Sequence, residues 1–266
     1  MIKLLEQVSE AELKELETFC EASCIGVKAI GPLLSYGTAF DFAMSWVQRN
    51  ETGRPVSFLS KVYGTLTAYV SEQATEEERE EVRTFLKVIG YEFLVTTPDI
   101  SGLQPTGPIM VFPTGADCIA EPTTNSVQYV ENDRLKDFYT LITQNNPGYL
   151  ADSYSDWLVD FSHRLRHGTA HSVMLQNEDG FCSTAAALVI TEHTAFFGAV
   201  STNPECRGNH YAYSCIRHLA EQFSDRKLYL LCMPEKQAFY ERAGMVKCGE
   251  YTQSSQEDET YVKQHL

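Results

Sequence analysis

Positive charge is scarce in this sequence: 21 Lys and Arg face 36 Asp and Glu, a formal net charge of −15. Such a surface repels polyphosphate backbones, which argues against a nucleic-acid partner. It suits a cationic amine better, although plain solubility explains it equally well. Long apolar runs are missing too. No stretch approaches 18 uninterrupted apolar residues, so no membrane span is expected, and Met1-Ile-Lys-Leu-Leu-Glu-Gln7 carries no apolar signal core. No His/Cys set has zinc-ligand spacing, and of the eight cysteines only Cys20 and Cys24 are close in sequence. Scattered thiols of this kind read as small, reduced core residues, so the expectation is a cytoplasmic protein with no metal.

What is present suffices for a sizeable core. The 266 residues are 43% hydrophobic, and the length suits about two domains. Ser9 is a good N-cap with Glu12 three residues on, and Leu13, Leu16 and Phe19 share a face, which predicts a helix to Cys20. Ile25 to Leu34 reads as a second, more buried helix that Gly31-Pro32 interrupts or ends. Ala39 to Gln48 and Val56 to Val70 read as strands, with Asn50 to Gly53 as the turn between them. Thr75 and the acids after it open a helix that stops before Gly90, and a strand follows from Tyr91 to Thr97.

Five of the ten prolines fall between Pro98 and Ser126, which marks an inter-domain connection with Ile109 to Phe112 as a short strand or anchor. Beyond it come a strand (Val127 to Val130) and two helices (Arg134 to Thr143, Ser153 to Arg166). Three strands follow: Ser172 to Gln176, Cys182 to Thr191 and Thr194 to Thr202. A helix (Tyr211 to Phe223) and a strand (Lys227 to Met233) complete the pattern. The class is α/β with a mixed sheet. The division is an N-terminal α/β domain (1–100), a Pro-rich connection (101–125) and a C-terminal domain (126–266). Trp46 and Trp157 read as core.

Chemistry concentrates between Ala199 and Ala212. An apolar strand runs into a turn at Asn203-Pro204, and Arg207-Gly208 then opens a helix. A strand that feeds a glycine turn and a helix start offers backbone N–H groups and a positive dipole end, and Arg207 adds a full charge. That is a ready anion site, although an ordinary strand–turn–helix with an exposed Arg has the same pattern. About 30 residues later stands Phe239-Tyr-Glu-Arg-Ala-Gly-Met245.

These two segments, in this order with a helix and a strand between them, resemble the Gcn5-related N-acetyltransferase (GNAT) family over residues 126–266. There an Arg/Gln-x-x-Gly-x-Gly/Ala loop holds the pyrophosphate of acetyl-CoA, and a later Phe-Tyr-x-x-x-Gly-Phe segment supplies a tyrosine. Arg207 and Ala212 match the first motif, while His210 stands where the family has glycine. The resemblance implies transfer of an acetyl group from acetyl-CoA to a primary amine by direct attack. It places Val200, Ser201 and Thr202 on the cofactor through backbone groups, with Val200 N–H as an oxyanion donor. Arg207, Gly208, Asn209, His210, Tyr211 and Ala212 would wrap the pyrophosphate, with the His210 side chain pointing outward.

Tyr240 would be the general acid, because a phenol can return a proton to the leaving thiolate. The family often has an Asn near the position of Lys236. No general base stands out among Glu192, His193, Asp160 and His163, and His167 and His171 merely flank a turn. The first half echoes the same order, and Phe85 to Tyr91 resembles Phe239 to Met245 with Leu86 in place of Tyr240. It reads as a degenerate copy without the cofactor loop. The partners expected are a small-molecule or peptide amine and a second copy in a homodimer. The alternatives are an acyl-CoA-binding or regulatory module without catalysis, and a structural or interaction protein.

Overall fold

In the computed structural model, which describes residues 1–116, 118–145 and 153–255, the chain forms two compact units. The first contains Met1–Ile109, and Leu231–Pro234 and the residues from Cys248 onward join it. The second contains Met110–Leu230 and Glu235–Lys247.

In the first unit a short strand, β1 (Ile2–Leu4), precedes α1 (Glu10–Cys20), where the Ser9 hydroxyl accepts from Glu12 N–H at 3.2 Å as the N-cap pattern predicts. Helix α2 (Cys24–Tyr36) starts on Ser23 and runs straight past Pro32 to Gly37. The expected interruption at Gly31-Pro32 does not occur. Burial along this helix, from Ile25 through Ile30 to Leu33, outweighs an interior proline's cost of about 3 kcal/mol. Gly26 allows the tight approach of α2 to α1, since a Cβ there would sit 2.2 Å from the Cys20 carbonyl.

Strands β2 (Ala43–Arg49), β3 (Pro55–Val62) and β4 (Thr65–Val70) form an antiparallel meander. The single strand expected over Val56 to Val70 is thus a hairpin turning at Tyr63-Gly64, with Val62 opposite Thr65. Tyr63 takes a positive φ of 50°, and its type gives no turn signal, which is why the apolar run read as continuous. Helix α3 (Glu76–Ile89) then crosses over to β5 (Phe93–Thr96), parallel to β4. Trp46, Leu59, Leu66, Val82 and Leu94 fill the core.

The connection is more ordered than its prolines suggest. It holds a helical turn, α4 (Pro98–Ser101), and a wholly buried strand, β6 (Gly107–Phe112), within which the division between units falls.

The second unit repeats the plan. Strand β7 (Gln128–Glu131), helices α5 (Leu135–Asn145) and α6 (Tyr154–Arg166), and the meander β8 (His171–Asn177), β9 (Gly180–Ile190) and β10 (Thr194–Thr202) come first. Helix α7 (Tyr211–Gln222) crosses over to β11 (Lys227–Leu231), parallel to β10. Phe138, Trp157 and Phe161 stack under the sheet with Met174, Ala186 and Ala199. Helix α8 (Gln237–Ala243) follows.

The last strand, β12 (Val246–Ser255), leaves this unit. Its end pairs antiparallel with β5, Thr252 opposite Thr96 and Ser255 opposite Phe93. The sheet order in the first unit is therefore β1-β2-β3-β4-β5-β12, and in the second β7-β8-β9-β10-β11. Past α8 the chain thus returns to the first unit, where the end of β12 pairs with β5.

Candidate functional site

Strand β10 parts from its parallel neighbour. The β10–β11 register covers Thr194↔Lys227 to Phe196↔Tyr229, while β10 continues to Thr202. On its other side β10 stays with β9 but takes a bulge: Gly198 faces Ala186 and Ser201 faces Thr184, two intervening residues against one. Ala199 absorbs the extra residue at φ 52°. Backbone groups alternate sides along a strand. Asn203 N–H donates to Cys182 O at 2.8 Å and Ser201 O accepts from the Ser183 hydroxyl at 2.8 Å, so those residues face β9. Thr202, between them, therefore turns its N–H and C=O away from β9, toward the gap beside β11, while Val200 lies within the bulge itself. The Ser201 hydroxyl donates to Leu141 O at 2.8 Å.

After β10, Asn203 accepts from Glu205 N–H through Oδ1 and caps a tight turn, Pro204–Cys206. Asn209 closes the loop, its amide reaching Cys206 O at 3.1 Å. Gly208 has φ +82°, a conformation that favours glycine. His210, at φ 60° and ψ 13°, is the N-cap of α7 in the left-handed region. Glycine suits that position for its conformation, and His is one of the side-chain residues that tolerates it. The ring points outward: Nδ1 lies 3.0 Å from Glu121 O, so Nδ1 carries the proton.

The start of α7 is built to receive negative charge. Its N-cap makes no side-chain hydrogen bond and its first turn holds no acid, so the N–H groups of Tyr211, Ala212 and Tyr213 keep the usual unmet capacity of a helix start. Arg207 is exposed and makes no ion pair among the described residues. The corresponding helix start in the first unit is already filled. Thr75 and Glu78 form a full capping box, Glu76 and Glu77 add two more acids, and Arg79 folds back onto Ala74 O, Ser71 O and Asp99. A pyrophosphate fits the donors at α7 and would meet carboxylates at α3.

Helix α8 docks on α7. The Phe239 ring stacks on Tyr213 at 4.6 Å, and Arg242 donates to the Tyr213 hydroxyl at 3.2 Å. Tyr240, next along, is only 8% exposed, with its ring edge-on to Phe239. Lys236 is exposed at the N-cap of α8. Beside the loop, on the β9 side, lies a cavity of about 730 Å³ lined by Asn125, Asp179, Asn203, Glu205, Cys206 and Tyr211 among others.

No family model matches the sequence, and no curated protein matches it. Solved structures do match over nearly the whole chain. A tandem GNAT protein from the clavulanic acid biosynthesis pathway is 10% identical with a TM-score of 0.57, covering 96% of this chain and 98% of its own. This chain has a tandem GNAT fold. A GNAT-family acetyltransferase from Colwellia psychrerythraea covers 95% and 98% at 12% identity and TM-score 0.55. A Drosophila protein whose description names no activity covers 95% and 96% at 10% identity and TM-score 0.64.

Within the GNAT fold, the side chains weighed as general base are engaged or remote from the loop. Glu192 and His193 sit in the exposed turn at the Thr194 end of β10, opposite the loop. Asp160 is held by Arg164, and His163 stacks on His167 at 4.1 Å. His171 belongs to a separate cluster with Glu131. Among the described residues no group of His, Cys, Asp and Glu could hold a metal ion, and no helix is long and apolar enough to cross a membrane. Sequence reasoning missed the supports of α7. Thr123 N–H donates to Ser214 Oγ and Asn125 Nδ2 to the Tyr211 hydroxyl, both at 2.8 Å. Polar residues in a Pro-rich connection gave no signal for this.

Proposed function

We propose that the second unit is an acyl-CoA-dependent N-acyltransferase, with acetyl-CoA as acyl donor and the primary amine of a small molecule or peptide as acceptor. The observation that carries it is the open strand running into an empty-handed helix start. Val200 and Thr202 would offer backbone groups to the gap beside β11, and nine residues past Thr202, α7 begins without a side-chain cap or a first-turn acid, while Arg207 makes no ion pair among the described residues. Backbone pairing would hold the pantetheine arm as an added strand, and Arg207 with the N–H groups from Gly208 to Ala212 would hold the pyrophosphate.

In the reaction the amine nitrogen bonds to the thioester carbon and the C–S bond breaks. Val200 N–H would donate to the carbonyl oxygen as charge develops on it. Tyr240 would give its proton to the departing thiolate, and the amine's proton leaves through water. The acidic surface of the chain favours a cationic acceptor. One acyl donor binds per chain, since α3 already carries its own carboxylates.

The burial of Tyr240 favours a second reading, an acyl-CoA-binding module without turnover. A thermal-shift titration with acetyl-CoA beside ADP, with Arg207→Ala as control, tests the first. Stabilisation by acetyl-CoA that Arg207→Ala removes is expected; no shift at millimolar cofactor would remove the binding site altogether. Thiol release across a panel of amines then separates the two readings. Tyr240→Phe slows release in an enzyme and alters nothing in a binding module.

A further inference from the structure

Three of the eight cysteines gather where β9 meets the loop before α7, although they lie far apart in sequence. Cys182 is wholly buried on β9, with its thiol turned toward Gly180 O at 3.5 Å, the end of the strand that borders the cavity. Its carbonyl holds Asn203 N–H, and Asn203 in turn holds Cys206 N–H at 2.9 Å, so a single tight turn carries Cys206 back beside Cys182. The Cys206 side chain acts to raise the Cys182 thiol, and the Cys182 thiol acts to raise Cys215 on α7. Of the three, Cys206 alone reaches solvent, and it lines the cavity of about 730 Å³.

From this geometry we propose that Cys206 and Cys182 form a dithiol–disulfide site on the loop that opens α7, with Cys206 as the entry thiol and Cys182 as the resolving one. The oxidant is a low-molecular-weight disulfide. The Cys206 thiolate attacks it, forming a mixed disulfide and releasing one thiolate. Cys182 then loses its proton and attacks Cys206 Sγ, forming the internal disulfide and releasing the second thiolate. Two protein thiols lose two electrons and two protons, and one small disulfide becomes two thiols. Burial, with Cys206 as a neighbour acting in the same direction, pushes the Cys182 thiol up, so it resolves slowly at neutral pH and faster as pH rises. The closed bond ties the loop from Asn203 to Asn209 to β9. Its effect on cofactor binding rests on the acyltransferase reading; the thiol chemistry and the tethering do not.

The test equilibrates the full chain with oxidised and reduced glutathione and maps its thiols by mass spectrometry without reduction. A linked Cys182–Cys206 peptide is expected in the wild type, reversed by excess reduced glutathione. Cys182→Ala should hold a glutathione adduct at Cys206, and Cys206→Ser should give neither product. Amide exchange over the loop should slow on oxidation. A stable adduct at Cys206 in the wild type with Cys182 still a thiol would overturn the pairing, as would a Cys182–Cys215 link or no modification. A loop whose exchange is unchanged by the disulfide would overturn the tether. If acetyl-CoA stabilises neither redox form, the acyltransferase reading fails while the disulfide result stands.

Discussion

Three residues before α7 carry conformations that most side chains avoid: Ala199 (φ 52°), Gly208 (φ 82°) and His210 (φ 60°). Each acts at a different point. Ala199 makes the bulge, Gly208 turns the loop, and His210 starts the helix. A Cβ at Gly208 would touch nothing within 4 Å, so Gly208→Ala carries only the backbone cost, about 1 kcal/mol. Urea unfolding should show the midpoint fall with an unchanged slope. Arg207→Ala should leave stability within about 0.5 kcal/mol, because the side chain is exposed and makes no ion pair among the described residues. The same protein should lose its stabilisation by acetyl-CoA, which a melting curve with and without cofactor reads directly. At this scale the motif was legible, since Arg207 and Ala212 stood at the right spacing. The meaning of His210 was not, because φ belongs to the backbone and no residue type reports it uniquely.

Between elements the decisive contrast is α3 with α7. Both follow the last strand of a meander and cross over to a parallel neighbour. One carries a capping box and three acids in its first turn, the other carries neither. Removing the Thr75 hydroxyl by Thr75→Ala should cost about 1 kcal/mol in chemical unfolding. It should leave the acetyl-CoA response unchanged. A cofactor effect of that variant would mean that the first unit also binds. The acids of α3 were readable because capping is local chemistry, fixed within four residues. The course of α2 past Pro32 and the turn at Tyr63 were not. In both places packing at distance overrode the local preference, through the buried face of α2 and the register of β3 with β4.

Across the whole chain, acid should loosen the second unit in two stages. His171 is half-buried, and burial holds its pKa below the ordinary value against the pull of Glu131. Its Nδ1 accepts from Asn132 Nδ2 at 3.0 Å, and Asn132 cannot flip without losing Ser172 N–H at 2.9 Å. The unfolded chain binds this proton first, at about pH 6.5, so the contribution is complete above that value and is lost as pH falls below it. Glu131 follows. Burial pushes it up, but hydrogen bonds from His218 and Gln222 and the two histidine charges prevail and lower it, so its contribution is complete above the usual carboxylate range and goes as pH falls below it. Melting temperature measured against pH should drop below about 6.5, and His171→Gln should flatten that first drop. Ending the chain after Met245 should destabilise the first unit, because β5 loses its partner β12; proteolysis of the truncated protein checks this. The sequence by itself determined the helix caps, the strand–loop–helix motif and the element order of the second unit, since these depend on residues a few positions apart. Only the tertiary structure decided that β12 returns to β5, that β10 parts from β11 while bulging against β9, and that the turn after β10 carries Cys206 back toward β9. Those outcomes depend on strand register and packing between residues distant in the chain, which local composition does not encode.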